Sequence, residues 1–309
     1  MMDNKNLIIR LLGTMPENSN QNYRRERYLD FSSYYIDRIF YELEPGEEVS
    51  SLLMIPRKNK PCPAIIACHQ HNDEYFVGKS EVAGLYETPN SFGRTLCDAG
   101  YVVFCPDFLG FEDRRPKEYE RKANHFLESD GYERYLFIDY LLKGSTLQAK
   151  NIFDLSRAID ILERLPEVDS SRLGVCGHSL GGQESIWLGF FDSRIKAVVS
   201  NCGVARIKDL QSIKINHNYA MYLPSLFAVG LDMDDVVSAL APKPLCILQG
   251  EEDKIFPSSS VSAVIEKAKA RYTESGYPER FVAKFFPGTP HIFSEKAQQE
   301  MVSFLGRFL

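Results

Sequence analysis

The chain has 309 residues, 44% hydrophobic and 25% charged, which is enough apolar material for a large core under an ordinary soluble surface. Its net charge of −6 argues against a surface for nucleic acid or acidic membrane. No run nears the ~20 apolar residues needed to span a bilayer, and the seven cysteines lack paired spacing. Cys68, Cys105, Cys176 and Cys246 stand at the ends of apolar runs, as reduced core residues do. Met1-Met2-Asp3-Asn4-Lys5-Asn6 leads into only a short apolar stretch, so the expectation is a cytoplasmic chain without a signal peptide.

Residues 1–49 read as an N-terminal helical segment and a first strand packed on the core. Tyr23-Arg24-Arg25-Glu26-Arg27-Tyr28 is expected to be helical and solvated, and Tyr34 to Leu43 has strand character. Pro45-Gly46 gives a turn, and Val49 to Ile55 forms a second strand antiparallel to the first. From Ala64 the pattern becomes strand, loop, helix, repeated. Continuous apolar runs fall at Ala64–Cys68, Val102–Cys105, Leu173–Cys176, Ile195–Ser200, Leu245–Leu248 and Phe281–Phe286, as suits strands buried on both faces of a parallel sheet. Between them, Ile152, Leu155, Ile159 and Leu162 share one helical face. Val261, Val264, Ile265 and Ala268 share another, and Ala297, Met301, Phe304, Leu305 and Phe308 a third. The expected fold class is α/β: a mostly parallel central sheet covered by helices on both faces, forming one domain over residues 50–309.

Two connections are longer than a strand–helix link requires. Residues 108–148 carry Glu112, Asp113, Arg114, Arg115, Lys117 and Glu118 interleaved with Tyr119, Phe126, Tyr132 and Tyr135. Residues 203–240 carry His217, Tyr219, Met221, Tyr222 and Pro224. Both leave carboxyl ends of strands, so they are expected as lid-like insertions over the site; the alternative for the first is a solvated surface insertion.

Arg172 to Gly182 reads Arg-Leu-Gly-Val-Cys-Gly-His-Ser-Leu-Gly-Gly, a strand ending at Gly177 and a helix beginning past Ser179. Gly-x-Ser-x-Gly at such a junction is a nucleophile elbow, in which a strained serine stands above the sheet edge beside a helix N-terminus. A serine hydroxyl needs a base, and the base an orienting acid, in the order serine, acid, histidine along the chain. Asp253 follows the Leu245 strand in Gly250-Glu251-Glu252-Asp253, where Glu251 or Glu252 could serve only by turning back toward the sheet. Of the six histidines, only His291 lies beyond the last strand. The reading is Ser179 as nucleophile, His291 as base and Asp253 as acid. His178 and His217 are candidate substrate contacts, with His178 packed or pocket-lining rather than a base, and His125 is read as a surface or lid residue.

The tetrahedral oxyanion needs two donors. One is the Leu180 backbone N–H; the other comes from His69-Gln70-His71-Asn72-Asp73, with His71 favoured and Gln70 the alternative. His69, His71, Asp73 and Glu74 are too closely spaced for a zinc site, and no metal is expected.

Taken together, the chain resembles the α/β-hydrolase superfamily, within it the dienelactone hydrolase-like and acetyl xylan esterase-like bacterial proteins. The motifs are Gly177-His178-Ser179-Leu180-Gly181-Gly182, Tyr222-Leu223-Pro224, Leu240-Ala241-Pro242-Lys243-Pro244-Leu245 and Gly250-x-x-Asp253-x-x-Phe256-Pro257. Phe104-Cys105-Pro106-Asp107 with Gly110 adds to them, Asp107 being read as a loop brace. The resemblance implies a carboxylic-ester hydrolase with no cofactor, acting on small acyl or acetyl esters or acylated sugars, with Tyr222 at the substrate. Relatives with cysteine nucleophiles are common, and Ser179 leans this chain toward the esterases. A serine peptidase or a carbon–carbon bond hydrolase or lyase of the same fold is the alternative. The expected partner is a small-molecule ester, with no nucleic acid and no membrane, and homo-oligomerisation is left open.

Overall fold

The computed structural model describes residues 4–17, 22–71, 75–86, 88–116, 127, 131–215 and 218–309. Among these residues, nine strands form one sheet: β1 (Tyr23–Asp30), β2 (Tyr34–Glu42), β3 (Glu48–Pro56), β4 (Cys62–Cys68), β5 (Val102–Cys105), β6 (Val168–His178), β7 (Ile195–Asn201), β8 (Leu245–Gly250) and β9 (Phe281–Phe286). Their spatial order is β1-β2-β3-β5-β4-β6-β7-β8-β9. The contacts from β1 to β5 are antiparallel, and those from β5 through β4 to β9 are parallel.

Strand alternation divides the core in two. Ile66, Val175, Val198 and Ile247 face one apolar layer, and Ile65, Cys176, Val199 and Leu248 the other. Helices Leu147–Leu162, Leu180–Phe191 and Ser258–Glu274 cover the first layer, while Phe92–Asp98 and Glu295–Phe308 cover the second. This double burial is why the parallel strands read as unbroken apolar runs. All seven cysteines are free and buried. Among the described residues, no helix is long and apolar enough to cross a membrane.

One expectation is overturned. Residues 23–30 form edge strand β1, and the N-terminal helix lies earlier, at Asn4–Leu11. The charged side chains of β1 find partners across the sheet: Arg25 and Arg27 pair with the buried Asp37 on β2, and Arg25 also with Glu167. Those pairs suit a ladder, in which charged and apolar residues on facing strands meet side by side.

The chain order places β5 on one side of β4 and β6 on the other, so the direction of winding reverses between β4 and β6. A crevice opens at the carboxyl ends of strands at such a reversal. The loop after β4 begins at His69, and the turn after β6 holds Ser179.

Candidate active site

Ser179 joins β6 to the Leu180–Phe191 helix with φ 54° and ψ −117°, a left-handed conformation that costs a non-glycine residue on the order of 1–3 kcal/mol. The strand and helix hold it there: Ser179 N donates to Asn201 O at 2.9 Å, and Gln183 N donates to Ser179 O at 2.9 Å. Two glycines permit the crossing. A Cβ on Gly177 would lie 2.2 Å from the Gly181 carbonyl, and one on Gly181 would lie 2.1 Å from Cys68 O. The β4 end and the elbow are thus in backbone contact. Leu180 is the first residue of the helix, where N–H groups lack intrahelical acceptors and favour negative charge.

Asp253 and His291 meet although they are 38 residues apart. His291 Nδ1 donates to Asp253 Oδ2 at 2.7 Å, and because an ionised carboxylate only accepts, the ring proton sits on Nδ1 and Nε2 is left as the basic nitrogen. The other lone pairs of Asp253 are also engaged. Oδ1 accepts from Ile255 N at 2.8 Å and Phe256 N at 3.0 Å, and Oδ2 accepts from Gln249 Nε2 at 3.1 Å. Burial pushes the Asp253 carboxyl up, but the His291 hydrogen bond and charge and the two N–H groups outweigh it, leaving it below the usual range. Glu251 and Glu252, the alternative acids, are exposed.

The His291 ring lies 4.7 Å from the ring of His178, the residue preceding Ser179, and is stacked on Phe256 at 5.7 Å. His178 itself is fully buried, which corrects its reading as a substrate contact. Strand alternation turns it under His291, where its Nδ1 accepts from Asn201 Nδ2 at 2.8 Å. Burial, and next the His291 charge, push its imidazole down to about 3. His217 and His125 lie outside the described residues, as do Asp73 and Glu74.

In the loop after β4, His69 is fully buried, with Nδ1 donating to Gln70 O at 2.7 Å and Nε2 accepting from Phe108 N at 3.0 Å. Both nitrogens are occupied in one neutral tautomer, and burial pushes the imidazole down to about 4. Gln70 donates to the buried Glu81 at 3.0 and 3.1 Å. His71 Nε2 bonds Glu133 Oε2 at 2.7 Å; Tyr75 Oη donates to the same oxygen at 3.2 Å, and Tyr219 N to Glu133 Oε1 at 2.7 Å. Glu133, from helix Gly131–Leu142 in the first insertion, therefore ties the loop after β4 to the second insertion. Tyr222 is half-buried, its hydroxyl donating to Ile215 O at 3.3 Å. It lines an apolar cleft of about 460 Å³ with Phe137, Ile207, Met221 and Phe227, and no member of the Ser179, His291 and Asp253 group lines that cleft.

Asp107 braces its loop. It accepts from Lys79 N at 2.7 Å and Lys79 Nζ at 2.5 Å, and burial, opposed by the Lys79 charge, pushes its carboxyl up to about 7. Two groups among the described residues bring three metal-type donor atoms within 4.8 Å: Asp107, Glu112 and Asp113, and Cys202, Asp253 and His291. The first already encloses the Lys79 ammonium, and in the second the Asp253 oxygens carry the bonds just described. Sequence reasoning missed Glu133, Asn201 and Gln249. The last two are polar residues at the carboxyl-terminal ends of strands β7 and β8, Asn201 the last residue of β7 and Gln249 the last but one of β8, a position that could have marked them.

Residues 51–304 match the family model described as the dienelactone hydrolase family. A Bacillus subtilis (strain 168) protein, whose name, hydrolase YtaP, is itself provisional, is 28% identical over 311 residues, spanning 98% of this chain and 97% of its own. A glucuronoyl esterase from Solibacter usitatus superposes with a TM-score of 0.67 at 17% identity, covering 99% of this chain and 92% of that one. An acetyl xylan esterase from a Paenibacillus species gives 0.61 at 16% identity, covering 94% and 90%. At such identities these two likenesses show the fold alone.

Proposed function

The chain belongs to the dienelactone hydrolase family, a family of hydrolases, and from that premise we propose that it is a serine esterase cleaving small acyl or acetyl esters, acylated sugars among them. Ser179 attacks the ester carbonyl while His291 Nε2 accepts its proton. The oxyanion rests on the backbone N–H groups of Leu180 and His71. The alcohol leaves with the proton from His291, and water releases the acid by the reverse of the same steps. Asp253 keeps the His291 proton on Nδ1 and stabilises the imidazolium. The apolar cleft at Tyr222 takes the apolar part of the ester.

The observation that carries this reading is the 2.7 Å bond from His291 to Asp253, made by a ring packed against the residue beside a strained serine. The names of the esterases that share the fold agree with an ester substrate. The test is a chain-length series of nitrophenyl esters together with acetylated sugars, run on the wild type and Ser179→Ala. The proposal expects fastest turnover on short acyl chains and loss of about 10⁶ in kcat in the variant, the scale seen when a serine hydrolase loses its nucleophile. Faster cleavage of peptide anilides than of acetyl esters would favour the peptidase instead.

A further inference from the structure

Asn201 is the last residue of β7, paired in register with His178 at the end of β6, and is almost fully buried. The next residue, Cys202, has a φ of 47°, and its N donates to Leu248 O at 2.8 Å, which fixes the point where the chain leaves the sheet. Three parts of the candidate active site meet on Asn201. Its carbonyl accepts from Ser179 N at 2.9 Å, and its side-chain nitrogen reaches His178 Nδ1 at 2.8 Å and Ile292 O at 3.2 Å. Ile292 is the residue that follows His291.

The chemistry of the groups decides how this amide is oriented. A carbonyl only accepts, so Asn201 must turn its NH₂ to Ile292 O, and the second proton of that nitrogen goes to His178 Nδ1. His178 is thereby set in the tautomer that carries its hydrogen on Nε2, with its ring 4.7 Å from the His291 ring and tilted 40° to it. On the far side of the same segment, Asn90 Oδ1 accepts from Phe293 N at 2.9 Å. The His291 segment is thus held between two asparagine side chains, and Asn201 is the one that also holds the elbow.

We propose that Asn201 is a positioning residue for the base: through Ile292 O and the His178 ring it holds the His291 imidazole at the separation from Ser179 that proton transfer needs. This rests on the serine-esterase reading and adds a residue to it. A base must come within about 2.6–3.2 Å of the hydroxyl it deprotonates. Asp253 fixes the ring at Nδ1, from a loop that leaves a different strand, β8. Asn201 joins the elbow to the base segment directly, without passing through the acid. It touches neither substrate nor the reacting atoms, so its whole effect on turnover runs through His291.

The test is a double-mutant cycle on kcat for 4-nitrophenyl acetate, with wild type, Asn201→Ala, His291→Ala and the double variant, each checked for folding by thermal unfolding. Asn201→Ala should lower kcat by about 10²-fold, the scale of a 1 Å misplacement, with KM within a few fold. In the His291→Ala background the same change should cost no more than about twofold, because groups that act as a unit are not additive. Asn201→Ala leaves two buried acceptors unpaired and is liable to unfold, so Asn201→Asp is run beside it. That variant keeps the shape, and in neither protonation state can its carboxyl donate to both His178 and Ile292, so it should repeat the pattern. Wild-type kcat in folded Asn201→Asp would overturn the proposal. So would an equal fold-loss with and without His291, even where His291→Ala itself is nearly inactive. A His291→Ala enzyme as active as wild type would instead overturn the esterase reading, and the positioning role with it.

Discussion

His291 and Asp253 are joined at 2.7 Å by loops that leave neighbouring parallel strands β9 and β8. The carboxylate cannot swing away, because Ile255 N, Phe256 N and Gln249 Nε2 hold it from the other sides. Asp253→Asn preserves the shape and sets an amide against the ring, favouring the wrong tautomer. We expect kcat on 4-nitrophenyl acetate to fall by about 10⁴ with KM within a few fold, as losing a triad acid does elsewhere. Wild-type kcat in this variant would remove Asp253 from the mechanism.

Glu133 accepts from three donors on two segments, His71 Nε2 and Tyr75 Oη after β4 and Tyr219 N in the second insertion. In Glu133→Gln the new NH₂ must face at least one of those donors, leaving a buried polar group unpaired at a cost of about 1–3 kcal/mol. We expect a lower urea midpoint. We also expect a drop of roughly tenfold in kcat, about 1.4 kcal/mol, because the loop offering the His71 N–H loses its anchor. Unfolding curves and steady-state kinetics on the same preparation separate the two effects; unchanged kcat despite reduced stability would show that the loop does not depend on Glu133.

His178 gives a pH signature. Its folded-state value, about 3, lies below that of an unfolded histidine, near 6.5. The unfolded chain therefore takes up the proton first as pH falls, and stability is lost from about pH 6.5 downward to about 3. His178→Asn keeps an acceptor for Asn201 Nδ2 but removes the titration. The variant should be less stable at pH 7 by about 1–3 kcal/mol, yet lose less on moving from pH 7 to pH 5 than the wild type does. His69 contributes equally to both proteins, so the comparison isolates His178. An equal loss in both would contradict its buried neutral state.

Gly181 tests the elbow's backbone contact. A Cβ there meets Cys68 O at 2.1 Å, and Cys68 is fixed by β4–β6 pairing through Gly177. Gly181→Ala should destabilise by at least about 1–3 kcal/mol and abolish most turnover, measured by thermal unfolding and ester cleavage. A stable, active variant would mean the turn can open at this point.

The strands carrying Ser179, Asp253 and His291 were legible because parallel strands buried on both faces leave continuous apolar runs, and the three residues follow such runs in order. Edge strand β1 was not. Arg25 and Arg27 read locally as a solvated helix, and their partners become visible only once Asp37 on the next strand is paired alongside and Glu167, 142 residues beyond Arg25, is brought to the sheet edge. His178 resembled a pocket residue by its neighbourhood to Ser179, whereas the pleat directs it into the interior. Glu133 was hidden for another reason: in a charge-rich insertion, a buried carboxylate looks like a solvated one until Tyr219 and His71 are brought to it.

The most direct measurement is peptide mapping after treatment with a fluorophosphonate, which phosphonylates an activated serine. The account predicts one adduct, on the peptide containing Ser179, lost in Ser179→Ala and strongly slowed in His291→Ala. Labelling of another residue at wild-type rate in Ser179→Ala, or no labelling of an enzyme that hydrolyses esters, would contradict it.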